Sequence, residues 1–188
     1  FSTMARMKDN DTLQRFLFDG TDIRGEISTL TSSYRKIIAL NNYPAPVALL
    51  FGEFLVAASL IGASLKHKGI VTVQATGSGP VTAIMDEWTE NQGLRGIVRG
   101  KCEDLGNDEL TDSPDITELL GSATLAITIE PEKGERYQGI VEMVSNKLSD
   151  CLEHYFQQSA QLLTKIQLAA SEKSVSGLLI QQMPLTQS

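Results

Sequence analysis

The chain has 188 residues, 41% of them hydrophobic and 21% charged, with a formal net charge of -7. These are ordinary globular values, and a chain of this length can bury about 70% of its unfolded surface without a disulfide or a metal. An acidic balance, with no basic run longer than Lys66-His67-Lys68, argues against phosphate-neutralising nucleic-acid binding and against anionic membrane surfaces.

Residues 1–12 read as a frayed or tag-derived tail, polar and mixed in charge, with Met4 as a candidate natural start and no secretory signal. From 13 to 27 the pattern suggests a short helix or strand, a turn at Asp19-Gly20, and then a strand. Residues 31–40 place Tyr34, Ile37 and Ile38 at helical spacing, with Ser and Thr available at the start for a cap. Tyr43-Pro44-Ala45-Pro46 stops that helix and starts the next, because proline suits a first helical turn.

Residues 47–65 are apolar on nearly every face, with Glu53 the only charge. That length could span a bilayer. Yet Gly52, Ser59, Gly62 and Ser64 interrupt the run, and no second span follows. The expectation is a core helix, since apolar residues all round mean burial.

After Lys68-Gly69 the period changes to two. Strands are expected at 70–76, 81–88, 94–99, 123–130 and 137–144, separated by Gly, Pro and Asn. An acidic loop over 103–114 leads to a short helix at 115–120. An amphipathic helix at 147–161 carries Leu148, Cys151, Leu152, Tyr155 and Phe156 on one side, and strands at 163–170 and 178–183 close the chain. The fold class expected is α+β, with antiparallel sheets around a buried central apolar helix in β/α/β layers and one domain over 13–188.

Chemistry-bearing motifs are scarce. Gly77-Ser78-Gly79-Pro80 lacks the Gly-Lys-Ser/Thr of a phosphate loop, and Pro80 removes an amide donor, so a hairpin turn is expected. His67 and His154 with Cys102 and Cys151 do not have tetrahedral-zinc spacing. Cys151 and His154 lie three apart on one helix, but Cys151 falls on the apolar side, where a thiol packs as a small hydrophobe. A Cys102–Cys151 disulfide is a minor alternative; unpaired thiols fit a reducing cytosol. No catalytic, cofactor-binding or metal-binding residue is assigned, and the chain reads as a non-enzyme.

The suggestive feature lies in the strands, because a half-buried strand should be polar on its outer face. In 137–144 one face is Tyr137, Gly139, Val141 and Met143, the other Gln138, Ile140, Glu142 and Val144. In 123–130 the faces are Ala123, Leu125, Ile127, Ile129 and Thr124, Ala126, Thr128, Glu130. The second faces are only weakly polar. Either another layer covers them or they form an apolar binding patch. The residues singled out as binding candidates on the apolar strand faces are Ile140, Val144, Ala126, Tyr137, Val141 and Met143.

Several strings, taken in order, resemble the heat shock protein 33 family. They include Phe18-Asp19-Gly20-Thr21-Asp22-Ile23-Arg24-Gly25-Glu26, Tyr43-Pro44-Ala45-Pro46-Val47, Gly52-Glu53-Phe54-Leu55, and Thr128-Ile129-Glu130-Pro131 through Gly134-Glu135-Arg136-Tyr137-Gln138-Gly139. Leu178-Leu179-Ile180-Gln181-Gln182-Met183-Pro184 completes the set. The resemblance implies a cytosolic, ATP-independent holdase chaperone that binds unfolding clients under oxidative and heat stress. It also implies a homodimer, with exchanged elements as one form.

In that family four C-terminal cysteines hold zinc, and their oxidation releases it. Neither Cys102 nor Cys151 matches those ligands, so the zinc switch is expected beyond Ser188, outside this chain. One departure is Ser159-Ala160-Gln161-Leu162-Leu163-Thr164, which lacks the Glu and Pro of the family pattern. Without the resemblance, a structural or interaction domain, or a small-molecule enzyme with no recognisable site, stays open.

Overall fold

The computed structural model describes residues 10–65, 68–90, 93–103, 105–106 and 114–184. Its centre is α2 (Ala45–Ala63), in which every residue from Val47 to Ala63 is buried. Such a helix has no solvent face to offer, so it must be enclosed by two layers. One layer is a four-stranded antiparallel sheet in the order β1 (Thr12–Leu17), β2 (Ile23–Leu30), β9 (Val175–Gln182), β8 (Thr164–Ala170). The other is a five-stranded antiparallel sheet in the order β5 (Gly93–Gly100), β4 (Val81–Thr89), β3 (Gly69–Gly77), β6 (Ala123–Pro131), β7 (Tyr137–Glu142).

The helix touches β2, β8 and β9 on one side and β3, β4 and β5 on the other. The β/α/β layering expected from sequence is therefore the architecture found. Although α2 is long and apolar enough to cross a membrane, almost all of it is buried inside the protein. Fully buried Leu50, Phe51, Phe54, Leu55 and Leu60 each contribute about 1.5–3 kcal/mol of transfer free energy.

Three smaller helices complete the core: α1 (Ser32–Ala39), α3 (Ile116–Leu120) and α4 (Leu148–Tyr155). Their apolar residues, Tyr34 and Ile37, Ile116 and Leu119, Leu148 and Leu152, join the same cluster as α2 and the inner sheet faces. The Gly77–Pro80 segment is the tight β3–β4 connection, and it packs on α3, with Gly79 N–H donating to the Leu120 carbonyl at 2.8 Å.

Local details depart from the sequence reading. Order begins before residue 13: Thr12 opens β1 and Asp11 is buried. Thr31, at the N-cap of α1, makes no side-chain capping bond. The Asp11 carboxylate accepts the N–H groups of Thr31 (2.7 Å), Ser32 (2.9 Å) and Ser33 (3.2 Å). The helix expected to 161 is α-helical only to Tyr155; a π-helical turn, Phe156–Ala160, follows, and Gln161 turns the chain with a φ of 53°. The acidic loop over 103–114 lies largely outside the described residues.

Candidate functional site

Side chains alternate across a strand, so register decides which residues share a face. On the inner face of the five-stranded sheet, Val98, Ile84, Ala75, Leu125 and Val141 form one cross-strand row against the core. On the outer face one row reads Ile97, Met85, Gln74, Ala126, Ile140, crossing all five strands. Ile97, Met85 and Ile140 are 40%, 42% and 62% exposed. Gln74 and Ala126 are half-buried between them.

The rows to either side are polar. One reads Arg95, Glu87, Thr72, Thr128, Gln138; the other reads Arg99, Ala83, Thr76, Thr124, Glu142. In the first, Arg95 pairs with Glu87 at 2.6 Å, and Gln138 Nε2 donates to Thr128 Oγ1 at 2.8 Å. These contacts satisfy the polar row internally and leave the neighbouring apolar stripe as the uncommitted part of the surface. The helices bury their apolar sides in the core cluster on the opposite face.

The six residues singled out from sequence divide between the two faces. Ile140 and Ala126 lie on the outer stripe, and Val144, 63% exposed, follows the end of β7. Val141 and Met143 instead pack against the core, and the Tyr137 hydroxyl donates to the Ser159 carbonyl at 3.0 Å. These three belong to the inner side because α4 and the π-helical turn cover that flank of β7. Met85 and Ile97, which sequence reasoning missed, complete the stripe from the far side. Their signal was hidden because Ile84-Met85-Asp86 sends its carboxylate inward and its methionine outward.

The four-stranded sheet has a lesser outer feature. A groove of about 550 Å³ is lined by Ile27, Leu178 and Gln167 of one cross-strand row, with Lys147 and Asp150 at its rim. Its apolar row is closed at both ends by Gln14 and Gln167, so it is shorter than the stripe on the larger sheet.

Burial raises the Glu26 carboxyl to about 7 despite Arg24 and Arg15, and pushes Asp86 well above the ordinary carboxylate range. Cys102 and Cys151 are both free; Cys151 is buried, and burial raises its thiol above the ordinary value. His154 is half-buried, and His67 lies outside the described residues. Among the described residues no three His, Cys, Asp or Glu side chains come together to hold a metal ion. The described residues therefore do not assemble the four ligands of a tetrahedral zinc site.

Fold and surface together define an α+β sandwich domain that leaves an apolar stripe open on one sheet. The chain belongs to the Hsp33 family, whose model (Hsp33 protein) matches residues 11–188. It is 44% identical over 93% of its length to the 33 kDa chaperonin of Ectopseudomonas mendocina. It is 43% identical over 95% of its length to that of Azotobacter vinelandii. It spans 58% of each of those relatives. Among solved structures, the 33 kDa chaperonin (heat shock protein 33 homolog) of Thermotoga maritima superposes with a TM-score of 0.77. That pair shares 20% identity, over 92% of this chain and 60% of the other, which shows the shared fold.

Proposed function

We propose that this domain binds unfolding proteins along the Ile97–Met85–Gln74–Ala126–Ile140 row and so acts as the client-binding part of an ATP-independent holdase chaperone. The carrying observation is that row, open to solvent on a sheet whose other face packs against the core. Isolated apolar side chains are normal on a surface, whereas a contiguous patch rimmed by polar residues marks an interaction site. Relatives named as chaperonins support the reading. Val144 extends the surface at one end; Tyr137, Val141 and Met143 are dropped from it.

Magnitudes suit reversible capture. Covering about 600 Å² of apolar surface at about 25 cal/mol per Å² yields roughly 15 kcal/mol gross. Association and ordering cost about 4–15 kcal/mol, leaving modest net affinity. A holdase must release its client, so modest affinity is what the role needs. Catalysis is not required by anything in this arrangement.

The remaining elements of the reading follow the resemblance. They are a cytoplasmic setting, redox regulation through a zinc-binding region outside this chain, and a homodimer, with exchanged elements as one form. Two-fold dimers are the commonest closed assembly. The test is suppression of aggregation of a heat-denatured client, followed by light scattering without ATP, with and without reductant. Suppression near stoichiometric ratios is expected; no suppression under either condition overturns the reading.

A further inference from the structure

Two inward-facing residues of β4 bury polar atoms that have no hydrogen-bond partner among the described residues. They are both carboxylate oxygens of Asp86 and Nε1 of Trp88. Both side chains point at α2, and two glycines make their seats. A Cβ on Gly62 of α2 would run into the Trp88 ring, and a Cβ on Gly96 of β5 would run into Oδ1 of Asp86 and the Phe51 ring. The packing is therefore close on both sides.

Among the described residues no cation answers the Asp86 carboxyl, and on α3, which also packs against β4, the charged Glu118 is exposed. Its neighbours in the cross-strand row are Val73 of β3 and Gly96 of β5. The charged residues of those strands, Arg95 and Arg99 of β5 and Glu87 of β4, belong to the outer face, where Arg95 and Glu87 pair with each other. On α2 the ionisable residue is the acidic Glu53, itself buried. Ahead of α2, the Tyr43 hydroxyl accepts the Val98 N–H at 3.2 Å. Burial alone accounts for the raised Asp86 carboxyl. The other face of α2 is different: Glu26 has Arg15 at 3.8 Å and the charge of Arg24.

We propose that Asp86 makes the α2–β4 seam a pH-sensitive latch, closed while the carboxyl is neutral and opening locally once it ionises, so that Trp88 is uncovered. An ionised carboxylate must be solvated or paired. Here neither is available until β4 moves away from α2. Local opening is a lower-energy response than global unfolding where one seam is weaker than its surroundings. The folded state holds the Asp86 proton to higher pH than the unfolded state does. Closure is therefore favoured at low pH and is progressively lost as pH rises towards the folded-state value.

The chain has a single tryptophan, so Trp88 fluorescence reports this seam alone. Acrylamide quenching of Trp88 in the 188-residue chain should rise severalfold as pH is raised from the ordinary carboxylate range to mildly alkaline values, with far-UV circular dichroism unchanged. Asp86→Asn should flatten that profile, and Glu26→Gln should leave it in place. A flat wild-type profile, or the same rise in Asp86→Asn, overturns the proposal.

Should Asp86→Asn fail to fold, hydrogen exchange of wild-type peptides spanning β4 and β8 decides the question. Exchange accelerating with pH in β4 beyond the intrinsic rate, and not in β8, supports the latch; equal acceleration overturns it. No client takes part, so failure here leaves the chaperone reading untouched.

Discussion

The backbone N–H of Ile166 donates to Oε1 of Glu153 at 2.9 Å, so a side chain from α4 occupies the free edge of β8. Tyr43 does the same at β5, the edge of the other sheet, where its hydroxyl accepts the Val98 N–H. Unpaired strand edges are templates for association, and these two contacts block them.

The Glu153–Lys165 pair at 2.9 Å adds little, because the Lys165 side chain is mostly exposed and solvent screens it. The backbone contact matters more. Leaving a buried N–H without an acceptor costs about 1–3 kcal/mol. Glu153→Ala should lower unfolding free energy by about 1–2 kcal/mol in urea titration and raise the light-scattering mass with concentration. Glu153→Gln keeps a carbonyl acceptor and should lose little.

Glu26 should make stability fall as pH rises. Burial raises its carboxyl from 4.5 to about 7, with Arg24 and Arg15 opposing. The folded state thus keeps the proton to higher pH than the unfolded chain does. The stability tied to the neutral form is complete below about pH 4.5 and is lost progressively up to about pH 7. A shift of that size amounts to about 3 kcal/mol. Glu26→Gln should remove this slope, leaving only that of Asp86, when urea midpoints are measured across the range.

Gly62→Ala should destabilise, against the usual sign. A glycine-to-alanine change inside a helix ordinarily gains up to about 1 kcal/mol. Here the new methyl would collide with the middle of the buried Trp88 ring rather than with a flexible tip. Overpacking of a tight core costs about 1–3 kcal/mol, so the clash should win. A lower melting temperature together with a shifted Trp88 emission maximum is the expected result.

How legible this was depended on how far apart the deciding residues lie. α2 announced itself, because an apolar run without a stripe has only burial open to it. Most strands followed from alternation, and ordered strings carried the family. The α1 cap did not show, because its acceptor, Asp11, comes 20 residues before Thr31. Nor did the sheet order, in which β2 near the start pairs with β9 near the end, Ile23 opposite Gln182. Half of the proposed binding stripe was hidden for a different reason. Alternation sorts a strand by polarity, and β4 breaks that rule by burying Asp86 and exposing Met85. A residue that violates the pattern conceals its neighbour as well as itself.

The stripe itself can be tested by position rather than by hydrophobicity alone. Ile97 and Ile140 sit at its two ends, on β5 and β7, while Leu40 is 81% exposed just after α1. If any exposed apolar side chain served clients equally, Leu40→Lys would cost as much holdase activity as a change on the sheet. If the stripe is the site, Ile140→Lys and Ile97→Lys should each weaken client suppression several-fold and the Leu40 variant should not. A lysine at either end also sets a charge against the apolar segment being captured, which adds desolvation cost to lost contact area. Because all three positions are exposed, unfolding free energies from urea titration should move by no more than about 0.5 kcal/mol. Equal loss in all three variants, or no loss in the two sheet variants at unchanged stability, would remove the stripe as the client-binding surface.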